Sequence, residues 1–498
     1  MKKNTIKVLL LGLAAGISAC TTGSRQNMAQ ERNRYEFSNI LNIALTPDST
    51  VHRAGCFTDA GSWMGFTIPQ QDKWVNGFCG PFSIDNRIWF AQSIVEASLI
   101  GETTAMTPDS ASYFPGEVYI SSSSGTESIS QRMNFINAST ALLQIESNSG
   151  KGLCFTARQW NNNVHLEAER NIVTARHSNG EIVTLTFDSD IMLTCDGKNY
   201  VAQTKPGCKK TDIAISFFAS EKELPVSEQR IQALLNNPSQ ELKANADRWN
   251  GYLQKILRND MKPEYDRIAV KSAVTLISNW RTHREGLLHE GVIPSHAVGY
   301  FVGFWAWDSW RFSAALASFA PELAKNNIRA MFDYQLPDGM IIDCIYTNSA
   351  DNNARDSKPP LVCWAVDEIF THTQDTTFVK EMYPQLLAYY KWWYAKRDHN
   401  RNGICEFGST DGTLEAAAWE SGMDNAIRFD NTKMLKNADD AWSMDQESVD
   451  LNAYLAYECK LLKKFASLIG ISFDGPDYSD KIADYFFDEK SDGSVTAG

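Results

Sequence analysis

The sequence that says most about the fold is Trp419-Glu420-Ser421-Gly422-Met423-Asp424-Asn425-Ala426. It places a carboxylate two residues after a glycine, inside a region whose apolar residues recur at helical spacing. A second segment in the same region reads Trp305-Ala306-Trp307-Asp308-Ser309-Trp310-Arg311. Functional side chains concentrate on the loops that join helices. The two segments therefore indicate a helical domain with a site on its loops.

The chain from about residue 258 onward has the spacing of amphipathic helices. The first helix is indicated by one apolar face, formed by Ile268, Val270, Ala273, Val274, Ile277 and Trp280. Further helices are predicted at 309–318, 321–334, 361–373, 378–396, 446–470 and 475–486. The short connections between these roughly seven helices predict that consecutive helices pack antiparallel.

Residues 50–222 have the pattern of β-strands. Short β-branched runs, such as Ile182–Phe187 and Ile213–Phe218, alternate with turn-forming segments. Their spacing predicts an antiparallel β-sandwich as the N-terminal domain. Residues 223–257 are polar with a helical period, and they predict a helical linker to the domain of residues 258–498.

The N-terminus has the features of an export signal. Three lysines in residues 1–7 precede an apolar run, Val8–Ala19, that is too short to span a bilayer. The run ends in Ile17-Ser18-Ala19-Cys20, which resembles a bacterial lipobox. This predicts a signal peptide over residues 1–20, a lipid on Cys20, a flexible tether over residues 21–49, and a place in the bacterial cell envelope (periplasm or outer membrane). An ordinary signal peptide is the alternative.

The charge of the chain disfavours nucleic acid and anionic membranes as partners. Removal of residues 1–19 takes away three of the 47 Lys and Arg and leaves 44 against 60 Asp and Glu, a net charge of −16. The 14 Trp and 17 Tyr suit a protein that stacks aromatic rings on neutral ligands such as sugars, although most of them are expected in the core.

Nine cysteines accompany Cys20, and export permits disulfide bonds. Cys195 and Cys208 flank a turn-rich segment and are the predicted pair. None of the cysteines has C-x-x-C or Cys/His spacing, so a zinc site is not predicted.

Asp424 has the residue type of a general acid. In a glycosidase one carboxylic acid protonates the leaving oxygen, while a second activates water or attacks carbon. The acid has to hold its proton near neutral pH, and apolar surroundings raise a carboxyl pKa in this way. Trp419 and Phe429 are the predicted surroundings. The alternative is a cap or turn residue, the commoner role of an aspartate in a loop.

A second candidate cluster consists of Trp305, Trp307, Asp308, Trp310 and Arg311. Aromatic faces bind the apolar face of a pyranose, and an adjacent carboxylate accepts hydrogen bonds from sugar hydroxyls. The alternative is a buried aromatic helix start.

The segment Asp398–Glu406 has the spacing of a calcium-binding loop. Positions 1, 3, 5 and 6 of such a loop are matched by Asp398, Asn400, Asn402 and Gly403. The carbonyl of Ile404 offers a further oxygen. Position 12 is Ser409 rather than a bidentate glutamate, so no EF-hand is predicted. A polar turn without metal is the alternative.

The motif Trp-Glu-Ser-Gly-x-Asp-Asn at residues 419–425 resembles the general-acid signature of glycoside hydrolase family 63 and its relatives, the trehalases and mannosylglycerate hydrolases. The resemblance extends over residues 303–346, 358–407 and 415–449, and it is especially close to bacterial family 63 α-glucosidases. Those enzymes carry an N-terminal β-sandwich before a helical catalytic domain, an (α/α)6 barrel of twelve helices. The resemblance implies the same multidomain order of β then α here, with an incomplete barrel.

The resemblance also implies roles for single residues. Asp424 stands at the place of the general acid, and Trp307 and Asp308 stand at the subsite of the sugar that is released. Further candidates for sugar contact are Trp305, Lys358, Trp419 and Glu420, with Asp343 as a weaker one. A structural Ca²⁺ is implied, with the ligands Asp398, Asn400, Asn402, Ile404, Glu406 and, from a later helix, Glu447.

The activity that the resemblance implies is inverting hydrolysis of small α-glucosides by an exported, lipid-anchored enzyme. Mannosylglycerate or trehalose hydrolysis is the neighbouring alternative. The family's general base is a glutamate in more C-terminal sequence, so a truncated product is expected, and Glu447 or Asp450 is disfavoured as a substitute base. A non-catalytic sugar-binding lipoprotein is the alternative from another class. The expected partner is a small carbohydrate.

Overall fold

The computed structural model describes residues 33–48, 55–188, 190–489 and 495–497. Its N-terminal half is built from strands, in the order β1 Met64–Thr67, β2 Cys79–Ser83, β3 Ile88–Trp89, β4 Ala91–Leu99, β5 Thr107–Phe114, β6 Glu117–Ser124, β7 Glu127–Asn137, β8 Thr140–Ser147, β9 Leu153–Trp160, β10 Val164–Glu169, β11 Ile172–His177, β12 Ile182–Phe187, β13 Ile191–Cys195, β14 Tyr200–Thr204 and β15 Lys210–Phe218.

These strands form two sheets. One has seven strands in the order β1-β2-β4-β9-β14-β13, with β3 beside β2, and the other has eight in the order β10-β11-β12-β15-β8-β7-β6-β5. Neighbouring strands are antiparallel except for β2 and β4, which make a short parallel contact. Side chains alternate along the strands, so that Met133 is buried while its neighbour Arg132 is exposed.

The two sheets pack against each other through large apolar side chains. Phe155 on β9 lies 5.6 Å from Phe187 on β12, and Phe66 on β1 lies 6.2 Å from Phe135 on β7, measured between ring centroids. All four side chains are almost completely buried. The predicted order, an antiparallel β half followed by a helical half, is confirmed.

Residues 33–48 are packed rather than extended as a free tether, which corrects the prediction for this part of residues 21–49. Phe37, Ile40 and Ile43 are buried in the core. The buried guanidinium of Arg34 lies 3.0 Å from the carboxylate of Glu117. Three apolar side chains in seven residues make packing more favourable than exposure. The predicted signal over residues 1–20, with Cys20, lies outside the described residues and stays a prediction.

The predicted disulfide between Cys195 and Cys208 is wrong, since both are free thiols. Cys195 pairs with Tyr200 at one end of the β13–β14 hairpin, whereas Ile191 pairs with Thr204 at the other end. Cys208 follows Thr204 and therefore belongs to the far end. Five residues of strand separate the two ends by about 13 Å, beyond the reach of a disulfide.

Two helices follow the sheets, α1 Leu224–Asn236 and α2 Pro238–Ile256. Proline at the first position of α2 suits a helix start. On α2, Trp249 is buried and donates a hydrogen bond of 2.8 Å to the carboxylate of Asp59, which also pairs with Arg248 at 2.6 Å. The second helix of the expected linker is thus packed into the β half.

The remaining helices of the described chain are α3 Pro263–Ser278, α4 Ala306–Leu316, α5 Pro321–Phe332, α6 Val362–Thr373, α7 Thr376–Lys396, α8 Leu414–Glu420, α9 Val449–Leu468 and α10 Ser479–Phe486. Short strands join them, namely β16 Trp280–Arg281, β17 Gly291–Val292, β18 Phe304–Trp305, β19 Cys344–Ile345, β20 Glu406–Ser409, β21 Met434–Ala438, β22 Ala441–Glu447, β23 Phe487–Glu489 and β24 Val495–Ala497. None of the described helices is long and apolar enough to cross a bilayer.

Most predicted helices are found with bounds shifted by a few residues. The differences lie near the signature motif, where α8 and the sheet β20-β22-β21 were not predicted. The helix predicted at 446–470 begins only at Val449, because residues up to 447 belong to β22. Residues 263–486 contain eight α-helices, and a closed ring of twelve is not formed within them.

Candidate active site

A cavity of about 980 Å³ opens between three segments of the helical half. They are the start of α4 with the loop before it, the region around β19, and the loop that follows α8. Of the side chains predicted to bind or cleave sugar, those that line this cavity are Trp305, Trp307, Asp308, Lys358, Trp419 and Asp424, with Asp343. Segments up to 120 positions apart thus meet at one site, as the resemblance implies.

A two-residue sheet positions the first aromatic segment. Trp305 on β18 pairs with Cys344 on β19, and the Ala306 N–H donates a hydrogen bond of 2.9 Å to the carbonyl of Asp343. The helix α4 begins at once, so that Asp308 lies in its first turn, where a helix favours negative charge. Trp310 points instead into the core, 6.0 Å from Phe332, and does not line the cavity.

Gly422 allows the signature loop to approach Trp307 closely. Its φ is +68°, and a β-carbon at this position would lie 2.7 Å from the indole ring of Trp307. Arg311 covers the same indole, with its guanidinium carbon 3.9 Å from the ring centroid. Only glycine satisfies both the backbone angle and the contact. The glycine of the signature is therefore explained by packing against an aromatic wall.

Asp424 lies at the edge of the cavity and is exposed. Trp419 lines the cavity beside it, as predicted. Phe429 is buried in the core and does not line the cavity, so its predicted place around the acid is wrong. The turn of residues 427–429 directs the phenyl ring inward. Of the two predicted aromatic neighbours of Asp424, only Trp419 therefore lies at the cavity.

Asp308 presents a carboxylate to the cavity. Burial raises its pKa to about 6, and the positive charges of Arg311 and Lys358 oppose this rise. The carboxylate makes no ion pair or hydrogen bond to another described side chain. A partly buried carboxylate that no described side chain occupies is suited to accept hydrogen bonds from a ligand.

Lys358 lines the cavity, but its charge is already paired within the protein. Its ammonium donates hydrogen bonds to the carboxylate of Asp356 at 2.9 Å and to the carbonyl of Trp419 at 2.7 Å, and it lies 3.0 Å from the carboxylate of Asp343. Two of its three protons are therefore used within the protein. Burial and the neighbouring Asp343 charge raise the pKa of Asp356. Lys358 thus joins the floor of the cavity to the start of the signature loop.

Glu420 does not reach the cavity either, which corrects its prediction as a substrate contact. Its side chain and that of Arg397 are both fully buried and form a double hydrogen bond, each arm 2.8 Å long. The same carboxylate accepts from the N–H groups of Ser357 at 3.1 Å and Gly408 at 2.6 Å. Glu420 therefore anchors the end of α8, directly before Ser421 and the loop of Asp424.

An aromatic rim, formed by Tyr300, Phe301, Trp305 and Tyr346, lies around one side of the cavity, and sequence reasoning found only Trp305. Successive ring centroids lie 4.3, 5.3 and 5.7 Å apart along this order. The Tyr346 hydroxyl closes the set by donating to the carbonyl of Tyr300 at 3.0 Å. The one sequence signal for this rim was that Tyr300 and Phe301 stand a few positions before Trp305 in the chain.

The predicted calcium loop is folded around its own polar side chains. Asp398 accepts hydrogen bonds from the N–H groups of Asn402 at 2.9 Å and Gly403 at 2.7 Å. The Asn400 and Asn402 amides donate to Glu447 at 3.2 and 2.7 Å. Gly403 has φ of +82°, which permits the sharp turn. Glu447 is the last residue of β22 rather than part of a later helix.

Glu406 and Glu447 are paired across β20 and β22, close to Asp398. Burial raises the pKa of Glu406 to about 7, and the charges of Asp398 and Glu447 add to this rise. In the described part of the chain, no three His, Cys, Asp or Glu side chains are close enough to enclose a metal on their own. Oxygen donors from Asn400, Asn402 and the Ile404 carbonyl would therefore have to complete a calcium site, and these are the hard ligands that Ca²⁺ prefers.

Neither proposed substitute base lies at the cavity. Asp450 pairs with Arg428 at 2.8 Å, and Glu447 accepts hydrogen bonds from the calcium loop and from the hydroxyl of Tyr485. Both are absent from the cavity lining. The expectation that they do not act as the base agrees with this placement.

Sugar affinity is expected to rise as the pH is raised through about 6, the pKa of Asp308. Ionisation turns this carboxyl into an acceptor of charge-assisted hydrogen bonds. Asp308→Asn should weaken sugar binding at high pH by about 1.5–3 kcal/mol. It should also remove the rise in affinity with pH. Calorimetric titration of a neutral α-glucoside between about pH 5 and about pH 8 measures this. If the Asp308→Asn variant still shows the same rise in sugar affinity with pH, another ionisable group causes that rise.

The helical half is similar to known glycoside hydrolases. Residues 302–485 match the family described as the mannosylglycerate hydrolase MGH1-like glycoside hydrolase domain. The mannosylglycerate hydrolase of Thermus thermophilus is 27% identical over 160 residues, covering 28% of this chain and 36% of that protein. The mannosylglycerate hydrolase MGH2 of Selaginella moellendorffii is 24% identical over 164 residues, covering 29% and 32%. The chain thus spans about a third of the length of these curated relatives.

Solved structures similar to this chain include two glycoside hydrolases. The family GH63 mannosylglycerate hydrolase of Thermus thermophilus, in complex with Tris, is 20% identical with a TM-score of 0.29, covering 36% of this chain and 57% of that chain. A family GH92 glycosyl hydrolase is 11% identical with a TM-score of 0.45, covering 92% and 65%. The resemblance of the signature segments to the family 63 group is confirmed by the family match and the curated relatives.

Proposed function

We propose, from the mannosylglycerate hydrolase-like glycoside hydrolase domain in residues 302–485, that the chain supplies the general acid and the sugar-binding groups of an inverting hydrolase of small α-glucosides. The observation that carries this proposal is the cavity itself. It brings Asp424, from the loop after α8, together with Trp305, Trp307 and Asp308, which lie on β18 and at the start of α4.

The chemistry of these groups fits acid-assisted cleavage. The indole rings of Trp305 and Trp307 offer apolar faces to a pyranose, and Asp308 accepts hydrogen bonds from its hydroxyls. Asp424 at the cavity edge donates a proton to the leaving oxygen. An inverting site also needs a second carboxylate, about 6.5–9.5 Å from the first, to activate water. The resemblance implies a glutamate from more C-terminal sequence for this role.

The charge of the cavity favours a neutral substrate over mannosylglycerate, whose glycerate group is anionic. Its lining includes four carboxylates, those of Asp308, Asp343, Asp351 and Asp424. Among the described lining residues the single lysine or arginine is Lys358, and its charge is already paired with the carboxylates of Asp343 and Asp356. A substrate carboxylate would therefore meet repulsion without a free cation. This supports the α-glucosidase type within the family.

The experiment that tests this choice is a comparison of ligands at equal concentration. Calorimetric titration with neutral α-linked disaccharides and with mannosylglycerate should give tighter binding of the neutral sugars. Tighter binding of mannosylglycerate would overturn the neutral-substrate proposal and leave the glycosidase assignment of the domain intact.

A non-catalytic sugar-binding role is the second candidate. The observation that favours it is the exposure of Asp424, because a general acid is usually held protonated by burial. The aromatic cavity and Asp308 would serve a binding protein equally well. Turnover of a bound sugar distinguishes the two roles.

We also propose a structural Ca²⁺ held by Asp398, Asn400, Asn402, Ile404, Glu406 and Glu447. It is supported by the position of Asn400 and Asn402 beside Glu447, and by the raised pKa of Glu406, which burial causes first and the charges of Asp398 and Glu447 increase. Bound Ca²⁺ would join the loop after α7 to the end of β22. The ion would stabilise the fold and take no part in the reaction.

Calcium is expected to raise the melting temperature more at about pH 8 than at about pH 5.5. The pKa of Glu406 is raised from 4.5 to about 7. Without Ca²⁺ the folded state therefore binds the extra proton, and stability falls as the pH rises through this window. Ca²⁺ binds the ionised form and reverses that loss. Thermal unfolding with Ca²⁺ and with EGTA measures the difference.

The matched variants for calcium are Glu447→Gln and Asp445→Asn. Glu447 belongs to the proposed ligands, whereas Asp445 is an exposed acid of the same strand that caps Lys433. The calcium-dependent shift should be lost in the first variant and kept in the second. Equal melting temperatures of the parent protein with Ca²⁺ and with EGTA would refute the calcium site.

Export and lipidation at Cys20 are proposed from the lipobox alone. Cells that express the chain should incorporate labelled palmitate into it, and Cys20→Ala should remove the label. Palmitate that stays on the Cys20→Ala protein would exclude this residue as the lipid attachment site.

A further inference from the structure

The aromatic rim is attached to the β half of the molecule, although its residues belong to the helical half. The rim lies in two chain segments. The first contains Tyr300, Phe301 and Trp305, and the second contains Tyr346. Each segment makes hydrogen bonds to the turn of residues 84–87, which joins β2 to β3. One turn of the β half therefore contacts both sides of the rim.

Arg87 holds the first segment. Its guanidinium donates to the carbonyl of His296 at 2.5 Å and to the carbonyl of Ala297 at 3.0 Å. The same guanidinium stacks on the ring of Phe82, 4.9 Å from its centroid. The planar fork of an arginine can satisfy two adjacent carbonyls at once, which an ammonium cannot do with the same geometry. The two carbonyls lie three to four positions before the rim residue Tyr300.

Asp85 holds the second segment. Its carboxylate accepts a hydrogen bond of 3.0 Å from the hydroxyl of Thr347, the residue after Tyr346. Arg284 lies 3.6 Å from the other oxygen of Asp85 and 3.3 Å from Glu181, so this carboxylate is itself held in place. The Gly286 N–H donates to the Thr347 carbonyl at 2.7 Å. The backbone beside Tyr346 is thus fixed on two sides.

His296 adds a third connection to the β half. The Cys56 N–H donates to its Nε2 at 3.1 Å, and its Nδ1 lies 2.7 Å from the side-chain oxygen of Asn279. Complete burial lowers the pKa of His296 to about 3, and the charges of Arg281 and Arg87 act in the same direction. The ring is therefore neutral, with Nδ1–H as donor and Nε2 as acceptor. It fixes the start of the rim segment without introducing a charge.

We infer that Arg87 and Asp85 of the β half are positioning residues for the sugar site: they hold the aromatic rim in place and thereby set the affinity of the cavity. The inference rests on the proposed function in one respect, that the ligand of the cavity is a sugar. It assigns the β half a part in sugar recognition, through residues that position the aromatic rim and do not touch the substrate.

The first variant is Arg87→Met. It keeps an unbranched side chain over Phe82 and removes the two hydrogen bonds to the carbonyls of His296 and Ala297. The loss of two bonds to the rim segment should weaken the binding of a neutral α-linked disaccharide roughly tenfold. Arg87→Lys keeps one donor and should give an intermediate loss. Thr347→Val removes the bond to Asp85 with little change in shape, and it should weaken binding independently.

The matched control is Arg170→Met. Arg170 is also a turn arginine of the β half with positive φ, +55° against +61° for Arg87. Its side chain is 80% exposed and it does not line the cavity. This variant should bind the disaccharide as the parent protein does. Equal melting temperatures of the two methionine variants would show that a loss of binding is not a loss of folding.

Hydrogen exchange gives a readout that does not depend on any ligand. In Arg87→Met the backbone amides around Tyr300 and Phe301 should exchange faster, while those of β7 and α7 keep their rates. If the parent protein binds no sugar, the proposed function fails, and faster exchange at the rim still supports the positioning role. Unchanged exchange at the rim overturns it, and so does unchanged sugar affinity in a parent protein that binds.

Discussion

Replacing Asp424 by asparagine, in an enzyme completed by the second carboxylate that an inverting site needs, is expected to lower the turnover of an α-glucoside by about 10²–10⁴-fold, the usual contribution of a general acid, with sugar affinity unchanged. Asparagine has the size of aspartate and cannot donate the proton to the leaving oxygen. The tryptophan faces and Asp308, which hold the sugar, are untouched. Initial rates of glucose release together with calorimetric titration of the same sugar measure both quantities.

The control for this variant is Asp430→Asn. Asp430 is an exposed aspartate six positions along the chain, and it does not line the cavity. Its replacement should leave turnover as it is in the parent protein. Full activity of Asp424→Asn would remove Asp424 from the role of acid, whereas loss of sugar affinity would show that it acts in binding.

Glu420→Gln is expected to destabilise the protein by about 3–5 kcal/mol, the usual loss when one partner of a buried ion pair is removed. The Glu420 and Arg397 side chains are both fully buried, so the change leaves an uncompensated guanidinium away from water. The carboxylate also accepts from Gly408 and Ser357, and an amide cannot serve all these donors. Urea unfolding measures the loss.

Glu415→Gln is the matched control, since Glu415 lies on the same helix, α8, and pairs with Arg355 at the surface at 3.2 Å. A surface pair contributes at most about 1 kcal/mol. Equal unfolding free energies for the two variants would contradict the anchoring role of Glu420. Because Glu420 fixes the end of α8, its variant should also bind sugar more weakly than the control does.

The elements of regular period were predictable from the sequence. The helix predicted at 321–334 is α5 at 321–332, and the strand seen in Ile182–Phe187 is β12 with the same bounds. The helix has the spacing of an apolar face, and the strand, which is buried at all six positions, is a short β-branched run between turn-forming segments. The short helix α8 was missed because seven residues show too little of a period, and the helix predicted from 446 includes the last two residues of β22, although Ser448 is the N-cap residue of α9.

The site was predictable where its residues share a motif, and not where a role depends on a distant partner. Trp307, Asp308 and Asp424 lie at the cavity as expected. Glu420 and Lys358 were assigned to sugar contact, but their charges are taken up by Arg397 and by the two aspartates. The parts played by Arg87 and Tyr300 depend on contacts between the β half and the helical half, for which a single sequence has no local signal.

The measurement that tests the central claim most directly is glucose release from neutral α-linked disaccharides, with the anomer of the first product followed by NMR. An inverting site acting on an α-linkage predicts that β-glucose appears first and that mutarotation follows. Initial release of α-glucose would contradict the inverting mechanism. Binding of the disaccharides without any release would show that the site binds sugar but lacks a complete pair of catalytic carboxylates.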